Sequence, residues 1–184
     1  MRIITGKHKG RKLNTLPGKN TRPMMDRMKE SIFNIIGPYF DGGIVLDLFG
    51  GSGALTLESI SRGANKAYIV EKNGAAINVI KSNVEMLKEE DNINLLAMDY
   101  KLVLEYAKNN NLKFDLIFLD PPFRMKVIDD IVEYILENNL INNDGYIICQ
   151  FPKGNHEIKE RNNLYIRKHD QYSASEVVIY NYQK

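Results

Sequence analysis

The chain has 184 residues, 43% hydrophobic and 26% charged, the proportions of an ordinary globular protein and not of a disordered or fibrous one. No stretch approaches the roughly 20 apolar residues that span a bilayer, and the opening MRIITGKHKG lacks the apolar core of a signal peptide, so no membrane association and a cytoplasmic location are expected. The formal net charge of +2 conceals an asymmetry: residues 1–30 hold nine Lys or Arg against two acids, a local charge of +7, and the remainder sums to −5. One end is suited to a polyanion.

In chain order, RIIT-GKHKG-RKLNTL reads as a short hairpin around a glycine-bounded turn. Arg2, Lys7, Lys9, Arg11, Lys12, Lys19, Arg22, Arg27 and Lys29 are interleaved with Gly, Thr, Asn and Pro, as in a loop-rich arm that contacts phosphates. Charge alone is equally consistent with a solvated surface. From Met24 to about Ile36 apolar residues recur at helical spacing, and Gly37-Pro38 ends the run. Residues 44–49, 66–71, 93–98 and 115–119 are short apolar runs, each followed by a helical pattern, and residues 146–151 make a fifth run. Strands apolar on both faces, alternating with helices, imply a parallel sheet covered on both sides. Residues 163–172 and 176–182 alternate β-formers with polar residues and are expected to close one sheet edge as an antiparallel hairpin. The Asn-rich stretches at 109–111 and 142–143 read as loops. The expected architecture is α/β, the seven-stranded methyltransferase variant of the doubly wound fold. Residues 1–40 form a basic extension of it and residues 41–184 the main domain. Cys149, the single cysteine, lies in an apolar strand, so no internal disulfide forms and no metal site is expected.

The first strand runs into Asp47-Leu48-Phe49-Gly50-Gly51-Ser52-Gly53, and a helix follows at once. Glycines at such a turn let the backbone pass close to a nucleotide-like ligand. Glu71, closing the second strand eighteen residues past Gly53, is placed to accept from both ribose hydroxyls. The turn lacks the third glycine of a dinucleotide site. A carboxylate at Asp47 would repel a pyrophosphate but suits the ammonium of a methionine moiety, so S-adenosylmethionine is favoured over a nicotinamide cofactor. Asp99, at the end of the third strand, is placed to accept from the adenine amine and can equally cap the helix that follows, and Tyr100 beside it is counted among the cofactor-binding residues.

The fourth strand ends in Asp120-Pro121-Pro122-Phe123. Two prolines stiffen a loop outside the carboxyl edge of the sheet, where α/β proteins bind ligands. The exocyclic amine of a base has a delocalised lone pair and is a poor nucleophile. Asp120 and the Pro121 carbonyl form an acceptor pair able to draw its N–H groups and favour a tetrahedral nitrogen. Phe123 offers a ring on which the base can stack.

With these motifs in hand, the chain resembles the bacterial 16S ribosomal RNA guanine-N2 methyltransferase family. The similarity runs through RIITGKHKGRKL, the TRP, DR and KESIFNII blocks, DLFGGSGALTLESISRGA, VEKN and FDLIFLDPPF. The resemblance implies methyl transfer to the exocyclic amine of one guanine, position 966, of 16S RNA in the small ribosomal subunit, and a monomer is expected. It places Asp47, Phe49, Gly50, Gly51, Ser52, Gly53, Glu71, Asp99 and Tyr100 around the cofactor, and Asp120 to Phe123 at the chemistry. Lys7, Lys9, Arg11, Lys12, Thr21, Arg22 and Arg27 fall on the RNA side, with Pro23, Asp26 and Asn34 flanking the entrance. Met24, Gly50, Gln150 and Tyr172-Ser173 depart from the family pattern, Gln150 standing where an acid is expected. A DNA adenine-N6 methyltransferase shares Asp-Pro-Pro with an aromatic but usually carries an added recognition domain. An idle RNA-binding module would not need Asp120 or Glu71. The basic arm is expected to act apart from the cofactor site, since the glycine turn begins only at residue 47.

Overall fold

The computed structural model describes residues 1–17 and 22–184. Its elements are α1 (Arg22–Ile36), β1 (Ile44–Asp47), α2 (Ala54–Ser61), β2 (Lys66–Val70), α3 (Gly74–Leu87), β3 (Ile93–Leu96), α4 (Tyr100–Asn109), β4 (Phe114–Leu119), α5 (Ile128–Glu137), β5 (Ile141–Pro152), β6 (Leu164–Gln171) and β7 (Ser175–Tyr182). They build a seven-stranded sheet in the order β3-β2-β1-β4-β5-β7-β6. The first five strands in sequence run parallel, and β7 inserts antiparallel between β5 and the edge strand β6. This is the class I methyltransferase fold expected from the strand and helix pattern.

Each parallel strand feeds both faces. Val45 of β1 joins a core shared with α1, α2 and α3, while Leu46 joins the core under α4 and α5. In α1, Met28, Ile32, Phe33 and Ile36 recur at helical spacing and are buried in the first of these cores. The N-terminal segment pairs through a single bridge, Arg2 to Lys12, a minimal version of the expected hairpin. Ile3 and Leu13 are buried beside α1 and α2. At its tip Gly6 has φ 95°, and a Cβ there would lie 1.8 Å from the Ser61 carbonyl oxygen. Only glycine lets the tip seat against α2.

β5 departs furthest from its expected bounds. β5 begins at Ile141, so Asn142 and Asn143 belong to a strand instead of a loop. Ile141 pairs with Phe114 ahead of a register shift, and the Asn142 amide donates to Asp115 Oδ1 at 3.1 Å. Asp144, at φ 66°, supplies the irregular turn of backbone that lets pairing resume at Tyr146. At 109–111 the loop expectation agrees better with the structure: Asn109 ends α4, Asn110 is its C-cap and Asn111 has φ 52°.

Candidate active site

The loops at the carboxyl edge of β1 to β5 surround a cavity of about 700 Å³, within the range of small-molecule sites, roughly 300–1,000 Å³. Its walls include Asp47, Phe49, Gly50, Gly51, Ser52, Glu71, Asp99, Tyr100 and Asp120 to Phe123. Of the residues expected to hold cofactor or do chemistry, Gly53 alone is off the wall. It is the N-cap of α2 at φ 80°, where its freedom to take a left-handed backbone starts the helix. Gly51, at φ 59°, faces open space. At Gly50 an alanine Cβ would sit 2.3 Å from Ile69 Cγ2, so the neighbouring isoleucine occupies the room a methyl would need.

Asp47 is 3% exposed and receives hydrogen bonds from Thr56 Oγ1 at 3.0 Å and the Phe49 N–H at 3.4 Å. Burial nevertheless pushes its carboxyl up to about 6, and the Glu71 carboxylate acts in the same direction. A buried acid so poorly compensated fits a cationic partner. Glu71 Oε2 accepts from the Gly51 N–H at 3.0 Å, and Oε1 accepts from the Lys72 and Asn73 N–H groups at 2.9 Å. The carboxylate therefore clasps the glycine turn as well as facing the cavity, and its lone-pair capacity leaves room for ligand hydroxyls. Asp99 caps α4 by accepting from the Lys101 N–H at 2.9 Å and stands 3.8 Å from Lys72 Nζ. Phe49 and Tyr100 pack ring on ring at 5.2 Å, joining the first and third loops. Burial raises the Tyr100 hydroxyl above its ordinary value.

Asp120 lies exposed at the mouth, Pro121 is buried, and Phe123 is 68% exposed. The Asn155 amide holds the Phe123 carbonyl at 3.0 Å. Gln150 also reaches the cavity wall, with a neutral amide where an acid was expected.

The basic residues scatter. Lys7 and Lys9 sit at the hairpin tip, on a shallow groove with Gly63, Asn65 and Asn92 at the amino edge of the sheet, the end opposite the cavity. Lys7 pairs with Glu89 at 2.6 Å, and Arg11 donates to the Met86 carbonyl at 3.1 Å. Lys12 and Arg27 are on the outside of the arm and of α1, Arg27 on the helix that lends Met25 and Met28 to the cavity. Thr21 lies outside the described residues, and Arg22 opens α1. Lys29, counted with the arm on charge, is 1% exposed and bonds the Arg2 carbonyl at 2.6 Å and Glu58 at 3.4 Å. It is a structural cation, and burial lowers its pKa.

Nor is the arm remote from the cofactor loop. Met1, Thr15 and Leu16 line the same cavity. Asn83, fully buried, donates through one amide to the carbonyls of Asn14 and Ser52, both at 3.0 Å, and accepts from the Asn14 N–H at 2.7 Å. The expectation that arm and cofactor site act separately is overturned by this shared wall and bridge. Asn83 could have been suspected as a polar residue on the buried face of α3. The methionine walls carry no such signal, because apolar residues at helical spacing read as core.

Comparison with known proteins agrees with this geometry. The model of the family described as Conserved hypothetical protein 95 matches residues 1–181. The YlbH protein of Bacillus subtilis is 37% identical over 180 residues, 98% of each chain. Ribosomal RNA small subunit methyltransferase D of Haemophilus influenzae is 35% identical over 157 residues, 83% of this chain and 79% of that one. The solved structure of yhhF from Escherichia coli superposes with a TM-score of 0.85 at 27% identity, covering 100% of this chain and 98% of its own.

Proposed function

The chain belongs to the family described as Conserved hypothetical protein 95, and from that membership and the cavity's residues we infer that it is an S-adenosylmethionine-dependent methyltransferase of ribosomal RNA. The observation that carries this reading is a single cavity collecting the Asp47 carboxylate, the glycine turn clasped by Glu71, and Asp120 to Phe123. Bound there, S-adenosylmethionine supplies a methyl group on a sulfonium. Asp47 faces its ammonium, Glu71 its ribose, and Asp99 with Tyr100 its adenine. Asp120 and the Pro121 carbonyl accept from the two N–H groups of the target amine, and Phe123 stacks on the base.

The finer assignment is the N2 amine of a guanine in 16S RNA, position 966, modified in the cytoplasm by a monomer. It rests on the family resemblance and on an acceptor pair suited to an exocyclic amine. In this reading residues 41–184 form the transferase unit, while Met1, Thr15, Leu16, Met25 and Met28 of residues 1–40 complete its cavity wall. No helix among the described residues is long and apolar enough to cross a membrane.

Calorimetry tests the cofactor assignment. The protein is expected to bind S-adenosylhomocysteine and to give no response to NAD; NAD binding without S-adenosylhomocysteine binding overturns it. The pH dependence follows from Asp47. Its folded pKa of about 6 lies above its ordinary 3.8, so ionised Asp47 costs folding stability, fully above pH 6 and not at all below about pH 4. A ligand ammonium offsets that cost, so affinity should weaken as pH falls through 6, about tenfold by pH 5. Asp47→Asn should bind weakly with no such slope and should stabilise the ligand-free protein above pH 6. Wild-type affinity unchanged between pH 7 and pH 5 would contradict the role of Asp47.

A further inference from the structure

Three cations flank the mouth of the cavity in sequence and are left unused by the residues above. Arg124 and Lys126 follow the exposed Phe123 ring, and Lys153 follows Pro152, which lines the cavity at the end of β5. All three are exposed, and none enters an ion pair or hydrogen bond among the described residues. Their two loops are fastened to each other. The Asn155 amide holds the Phe123 carbonyl at 3.0 Å, and Arg161 reaches Asp129, in the first turn of α5, at 2.7 Å. The Asn155–Phe123 clasp thus joins the two loops that carry these cations at the carboxyl edge of the sheet.

Four carboxylates line this cavity, those of Asp47, Glu71 and Asp99 within it and that of Asp120 at its mouth. Such an interior repels a polyanion, while a rim of opposite sign draws one to the mouth. The hairpin is a poorer candidate for that task. Its tip lies at the opposite edge of the sheet, Lys7 is paired with Glu89, and Arg11 is bonded to a carbonyl.

We propose that Arg124, Lys126 and Lys153 form the phosphate-contacting rim for the RNA substrate, gripping the backbone on either side of a nucleotide whose base is turned onto Phe123. This deepens the methyltransferase reading and rests on it. An extruded base enters the cavity while its phosphates stay outside, so cations flanking the stacking ring meet the backbone where it turns.

The test measures affinity for small-subunit ribosomal RNA across a salt series, with the full-length protein and its Arg124→Gln/Lys126→Gln/Lys153→Gln variant. Each phosphate left without its cation takes about 0.7–0.9 off the log–log slope, so the variant's slope should flatten by about 2 to 3. KM for RNA should rise at physiological salt with kcat within a few fold, and S-adenosylhomocysteine affinity should stay within about twofold. A wild-type slope in this variant overturns the proposal, and so does the same flattening found instead in Lys7→Gln/Lys9→Gln/Lys12→Gln. Because the slope is read from binding alone, its outcome is separable from a wild-type protein that transfers no methyl to RNA, which would overturn the methyltransferase reading instead.

Discussion

Replacing Asp120 with alanine is expected to slow methyl transfer about a hundred- to a thousandfold, the usual effect of losing one preorganised electrostatic group. Its side chain is exposed at the mouth, beyond the end of β4, so the core does not depend on it. Binding of S-adenosylhomocysteine should stay within about twofold, because Asp47 and the Glu71-clasped glycine turn remain in place. The two prolines keep the loop rigid, so the loss falls on chemistry and not on loop order. Asp120→Asn keeps one acceptor oxygen and should fall between wild type and alanine. Single-turnover rates at saturating cofactor measure the effect. A rate for Asp120→Ala within a few fold of wild type would reduce the tetrapeptide to a turn.

The largest loss of stability is expected at Glu58, on α2. Its carboxylate is 0% exposed and accepts from the Ile4 N–H at 3.0 Å, the Thr5 N–H at 3.1 Å and Arg62 Nε at 2.9 Å, with Lys29 Nζ at 3.4 Å. Glu58→Ala would strand two buried cations and two backbone donors, and breaking a buried ion pair from one side costs about 3–5 kcal/mol. The same interactions hold the N-terminal segment whose Met1 and Leu16 close the cavity, so cofactor affinity should fall with stability. Denaturant unfolding checks the first effect and calorimetry the second. Adding Lys29→Met to Glu58→Ala removes one stranded charge and should recover part of the loss. A Glu58→Ala loss under about 1 kcal/mol would contradict this role for the buried cluster.

Much of the architecture was legible because its signals are local. Apolar runs such as 44–49 and 115–119, each followed by a helical pattern, name the parallel strands, and the parallel sheet places Glu71, Asp99 and Asp120 along one edge. What was not legible depends on partners distant in sequence. Lys29 looks like one more basic residue of the arm until Glu58 and the Arg2 carbonyl surround it. A count of charge in residues 1–30 carries no position, so it could not say that Lys7 and Lys9 end at the amino edge of the sheet, away from the cavity. The early start of β5 depends on pairing of Ile141 with Phe114, which overrides the turn preference of Asn142-Asn143. Arg124, Lys126 and Lys153 are spread among neutral residues, and only the Asn155–Phe123 clasp joins the two loops that carry them.

Methyl transfer to a guanine amine of ribosomal RNA is tested most directly by incubating the protein with tritiated S-adenosylmethionine and small ribosomal subunits from a strain lacking this gene, followed by digestion and nucleoside chromatography. The expected result is tritium in N2-methylguanosine from 16S RNA, absent with Asp120→Ala. Tritium in N6-methyladenine from added DNA, with none in the RNA, would contradict it.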